Sequence, residues 1–196
     1  MKEKTAKLIR IITIPPLEVL TTLLILYGIK RNEFGNVKNL LTVILFLTLI
    51  PVCAYPIASR TKSNDDTRTS QRNMAFLFNF LSYLIAMLIG YFRGYSMLMR
   101  WILDDYFLSV LVLTIINKAF RVKASGHACS CTLPFLFLNY YLGGYVVGIC
   151  LILYLAELWA SVYLKRHTTT EFLVGSAVAW TVFVGSGLVI FFSLLF

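Results

Sequence analysis

The chain has 196 residues, 59% of them hydrophobic and only 14% charged, with a net charge of +9. Such an apolar balance excludes an ordinary soluble domain and places the chain in the membrane class. Its basic residues sit in short connectors between apolar blocks, with no separate basic domain to hold a duplex. Anionic lipid headgroups and phosphorylated substrates are therefore the expected partners, and nucleic acid is not.

The apolar residues come in blocks of roughly 18 to 23, long enough to cross about 30 Å of hydrocarbon as helices. Seven spans are predicted, at about 8–29, 38–58, 74–92, 101–120, 126–142, 144–163 and 172–194, forming one all-α transmembrane bundle over residues 1–196. Pro15 and Pro16 fall inside the first block, so that span either begins there after an interfacial amphipathic stretch or is kinked. Asp104 lies four residues after Arg100 in the fourth span, a spacing that predicts a helical ion pair. Pro134 interrupts the fifth span and Gly143-Gly144 follows it, which predicts a tight turn and a close hairpin with the sixth. Glu157, within the sixth span, reads as a partner for a basic residue such as Arg72 or as an interhelical hydrogen-bonding group. Cys53, Cys129, Cys131 and Cys150 read as small core hydrophobes, since the spacing of Cys129 and Cys131 is a poor match to structural zinc sites.

With seven spans, the N-terminal tail and the connectors at 59–73, 121–125 and 164–171 share one face, which holds most of the basic residues. The positive-inside rule puts that face, and with it the N-terminus, in the cytoplasm. Both histidines of the chain, His127 and His167, also lie there, each beside basic residues and at the mouth of a predicted helix.

Three connectors supply the chemistry expected of that face. In the first, Lys62 precedes Arg68 and Arg72, which are one helical turn apart and can clamp a multiply charged oxyanion. In the second, Lys123-Ala124-Ser125-Gly126-His127, the Ser-Gly pair opens a helix whose unpaired N–H groups and dipole favour an anion. In the third, Lys165 and Arg166 precede His167, and Glu171 follows it by four residues. That spacing lets the carboxylate hold one imidazole nitrogen and leaves the other as nucleophile or base. It is equally the spacing of an N-terminal capping box headed by Thr168 or Thr169, and both roles are compatible.

These elements resemble the type 2 phosphatidic acid phosphatase superfamily (PAP2) of membrane lipid phosphatases, which shares its helical core with vanadium haloperoxidases. The resemblance covers roughly residues 59–175. Residues 124–127, ASGH, stand where the family has Pro-Ser-Gly-His, with Ala124 in place of proline. The family's third element, Ser-Arg, five residues, His, three residues, Asp, is matched by His167 and by Glu171 in place of aspartate, while Ala160-Ser161 replaces Ser-Arg. Lys165, Arg166, Lys123 and Arg72 are the candidates to supply the missing arginine's charge. The first element is irregular: five residues separate Lys62 from Arg68 where the family has six, and Thr69 takes the arginine position.

The resemblance implies hydrolysis of a lipid phosphate or diphosphate, isoprenoid or glycerolipid, with no cofactor and no metal requirement. His167 would attack phosphorus to form a phosphohistidine, and His127 would protonate the leaving oxygen. Glu171 would orient His167, while Lys62, Arg68 and the backbone of Ser125 and Gly126 would hold the phosphoryl oxygens. A lipid-linked phosphotransferase and a non-catalytic lipid-phosphate-binding or transport protein are the alternative expectations on the same fold.

Overall fold

The computed structural model describes the backbone of residues 1–60, 67–120 and 122–193, and their side chains except at 55, 58–60, 67–72 and 193. Helix accounts for nearly all of it, and no strand occurs among the described residues. In chain order the helices are α1 (Lys2–Ile12), α2 (Pro15–Ile29), α3 (Arg31–Phe34), α4 (Val37–Ile44), a π-helical turn (Leu45–Leu49), α5 (Ile50–Arg60), α6 (Thr67–Phe92), α7 (Met97–Lys118), α8 (Gly126–Leu142), α9 (Gly144–Tyr163) and α10 (Thr169–Ser193).

The breaks follow the backbone chemistry of the sequence. Neither Pro15 nor Pro16 has an N–H to continue α1, and α1 meets α2 at a 50° bend. Pro51, also lacking an N–H, follows the π-helical turn that separates α4 from α5. The Ser82 hydroxyl from α6 donates to the Phe46 carbonyl within that turn. Gly94 adopts a left-handed φ of 60° before Ser96 caps α7. The Asn117 side chain closes the loop to α8 by bonding both the N–H and the carbonyl of Ala124, at 3.0 and 3.3 Å. Gly143, at φ 67°, turns α8 directly into α9, the hairpin expected from the glycine pair.

α10 packs on α8 and α7, α6 lies between α5 and α7, α2 lies on α8, and α1 runs along α9. Among the described residues, four helical segments are long and apolar enough to cross a membrane: Val37–Ala54, Asn73–Phe92, Gly144–Tyr163 and Thr169–Phe192. The bent α1–α2 pair makes a fifth if taken as one span. α7 falls outside this group because Arg100, Asp104, Asp105 and Lys118 break its apolar run, and α8 because it has only 17 residues. Leu77, Leu81, Ile85 and Leu88 form an exposed stripe at helical spacing on α6, a surface suited to lipid.

Away from the histidines the core is aromatic. The Trp101 ring stacks on Phe183 at 4.8 Å, and its indole N–H donates to Ser186 Oγ at 2.9 Å. Ser186 in turn donates to the buried carboxylate of Asp105. Arg100 and Asp104 do not form the ion pair their spacing predicts. Tyr91 comes between them: its hydroxyl donates to Asp104 Oδ2 at 3.0 Å while the Arg100 guanidinium lies 5.7 Å from its ring centre.

Candidate functional site

The N-termini of α8 and α10 meet backbone to backbone. The Ser125 N–H donates to the Glu171 carbonyl at 2.9 Å. A Cβ on Gly175 would stand 2.2 Å from the Ser125 carbonyl oxygen, so only glycine permits this approach. Ser125 is fully buried and caps α8, its hydroxyl accepting from the Ala128 N–H at 3.2 Å. His127, in the first turn of α8, is thereby brought within electrostatic reach of His167. Its Nε2 is buried and has no hydrogen-bond partner.

Thr168 caps α10 in a reciprocal box. The Glu171 N–H donates to Thr168 Oγ1, and the Thr168 N–H donates to Glu171 Oε2, both at 3.1 Å. The same Glu171 Oε2 lies 3.3 Å from His167 Nδ1. One carboxylate therefore both caps the helix and meets the imidazole, the two roles that the four-residue spacing allows together. Both side chains are about a quarter exposed, so the pair is at the mouth of the bundle and not in its interior.

Arg10 is a residue of the site that no local pattern points to. It lies on the last turn of α1, and its Nη1 donates to Ser161 Oγ on α9 at 2.8 Å. Ser161 is the residue that the resemblance to lipid phosphatases sets opposite the arginine of their third element. Its carbonyl meanwhile accepts from the Arg166 N–H at 2.9 Å and so ties the turn that carries His167. Lys165 in this turn has a φ of 52°, the only positive φ outside glycine among the described residues. The Arg10 guanidinium also acts electrostatically on His127 and on Glu157.

A second polar cluster lies beneath the histidines. Glu18 of α2 and Glu157 of α9 are within hydrogen-bond reach of each other and of Cys131 on α8. None of their four carboxylate oxygens receives a hydrogen bond from a conventional donor group. The Cys131 thiol donates to the Thr13 carbonyl at 3.7 Å, at the α1–α2 break. Donor atoms of His127, Cys131 and Glu157 lie within 4.8 Å of one another. Reading Cys131 as a core filler misses this convergence, whereas Glu157 meets Glu18 across helices, as its reading as an interhelical hydrogen-bonding group allows. The one available signal was the i, i+4 spacing of His127 and Cys131 on α8.

The remaining predicted phosphate ligands divide into two groups. Lys62 lies outside the described residues, as do the side chains of Arg68 and Arg72, whose backbone belongs to the first turns of α6. Lys123, Lys165 and Arg166 are exposed on the connectors flanking the two histidines, and Gly126 is half-buried at the start of α8. Along α9, a groove of about 350 Å³ lined by Leu155, Leu158, Trp159, Val162, Tyr163 and Thr169 reaches the first residue of α10. The chain matches no known protein family, no curated protein and no solved structure.

Proposed function

We propose that this is an integral membrane protein of about seven crossings on a PAP2-like bundle, which hydrolyses a lipid phosphate or diphosphate at its cytoplasmic face. The observation that carries the reading is the convergence of three groups on one end of the bundle. These are His167 with Glu171 on Nδ1, His127 on the adjoining helix, and the Arg10 guanidinium at Ser161.

With Nδ1 facing the carboxylate, Nε2 of His167 is the nitrogen that attacks phosphorus. The P–O bond to the lipid breaks as the P–N bond forms, and His127 gives its proton to the departing oxygen. Water activated by the deprotonated His127 then cleaves the phosphohistidine, releasing phosphate and restoring both imidazoles. Arg10 and the N-terminal amides of α8 stabilise the charge that gathers on the phosphoryl oxygens. The groove along α9 offers an apolar path for the lipid tail beside the site.

The test is phosphate release from a lipid monophosphate and a lipid diphosphate by the purified chain in detergent. His167→Ala should abolish it, and undiminished release would end this reading. Vanadate bound stoichiometrically without turnover would identify a binding protein instead. Phosphate appearing on a sugar or lipid alcohol would identify a phosphotransferase.

A further inference from the structure

We propose that His127, Cys131 and Glu157, with Glu18 completing the set, form a binding site for a divalent transition metal of the zinc class. The site shares His127 with the phosphoryl-transfer reading, and the resemblance to lipid phosphatases does not supply it.

Donor atoms of the three residues already lie within 4.8 Å of one another. Ligands of a tetrahedral zinc ion, bound at about 2.0 to 2.3 Å, stand roughly 3.3 to 3.8 Å apart. Closing these three onto one ion shortens their separations, now within 4.8 Å, to that range. His127 and Cys131 come from successive turns of α8, Glu157 from α9 and Glu18 from α2, so the ligands approach from three sides.

The second observation is the state of the donors. Cys131 and Glu157 are fully buried and Glu18 is 9% exposed. Both oxygens of each glutamate lack a conventional donor, and so does His127 Nε2. Two buried carboxyl groups that face only each other and a thiol are costly anywhere and more so within a bilayer, and ionisable groups placed there mark a functional site. A divalent ion satisfies them together. Its two charges, with that of Arg10, balance a thiolate and two carboxylates. A nitrogen, a sulfur and carboxylate oxygens suit zinc and its neighbours, whereas magnesium and calcium take oxygen ligands alone. A metal-bound Cys131 is a thiolate, so binding ends the thiol's bond to the Thr13 carbonyl.

A metal on the His127 imidazole and a proton donated from it are competing uses of the same ring, so the experiment reads the metal directly. The full chain, purified in detergent and stripped with EDTA, is loaded with zinc, passed through a desalting column and assayed for metal. One equivalent should be retained. Loading with cobalt instead should give the near-ultraviolet charge-transfer band of a thiolate-bound ion. A chain whose only cysteine is Cys131 should keep that band. Cys131→Ser should lose it, and Glu157→Gln should weaken retention at least tenfold. Absence of a retained equivalent in the unmodified chain, or absence of the thiolate band, overturns the site without recourse to any variant. A band that survives Cys131→Ser overturns it as well.

Discussion

Arg10 and Ser161 are 151 positions apart in sequence, and their side chains meet at 2.8 Å. The contact brings a guanidinium from the N-terminal helix to the position where the lipid phosphatase pattern carries its own arginine. If that cation serves the phosphoryl group, Arg10→Ala should lower kcat/KM on the order of 10²-fold, the usual cost of one lost oxyanion donor. Arg10→Lys should recover only part of this, because an ammonium lacks the planar fork. Adding Ser161→Arg to Arg10→Ala should return activity toward the unmodified level. Unchanged turnover in Arg10→Ala, with helical circular dichroism intact, would reduce the contact to packing.

Glu171 fills two roles that substitution can separate. Glu171→Gln keeps an oxygen to accept from the Thr168 N–H but removes the charge facing His167 Nδ1. The melting temperature should move little while kcat falls by about 10²-fold or more, with KM nearly constant. Thr168→Ala acts on the capping role alone. Loss of its hydroxyl cap should cost about 1 kcal/mol of stability, read by thermal unfolding.

Gly175→Ala should be the most damaging small substitution near the site. The added methyl would meet the Ser125 carbonyl at 2.2 Å, and backbone on both sides leaves nothing flexible to yield. Forced separation of α8 from α10 should cost about 1 to 3 kcal/mol and part His127 from His167. Both a lower melting temperature and loss of phosphate release are expected. Normal values of both would mean that the helices can part without consequence.

Ser186→Ala tests the far side of the bundle. The change deprives Trp101 of its acceptor and the buried Asp105 carboxylate of its donor. Stability should fall by about 1 to 3 kcal/mol, the cost of stranding buried polar groups, while turnover per folded molecule stays at the unmodified level. A parallel loss of turnover would connect this cluster to the reaction.

Helix ends and contacts within one helix are legible in the sequence because their causes are local. Pro15, Pro16, Ser125, Gly143 and Thr168 each mark a boundary through a missing donor, a cap or a left-handed turn. The meeting of His167 and Glu171 likewise has a local cause, the capping turn that opens α10. Contacts between helices carry no such signature. Arg10 reaches Ser161 because α1 bends at Thr13 and runs along α9, which no pattern in either segment specifies. Glu18, Cys131 and Glu157 converge from three helices, and each alone reads as an isolated polar residue in an apolar run. Even a local reading can be overridden: Arg100 and Asp104 have the right spacing, yet Tyr91 offers Asp104 a hydroxyl and Arg100 a ring.

The bare backbone contact at Gly175 bears on how precisely the two histidines can be held. With no side chain between α8 and α10 at that point, no rotamer can change there and no methylene can be compressed. The spacing of the helix starts is a hard-sphere distance, insensitive to the fluctuating thickness of a surrounding bilayer. The two helix starts that precede and follow the histidine turns are thus joined through backbone alone.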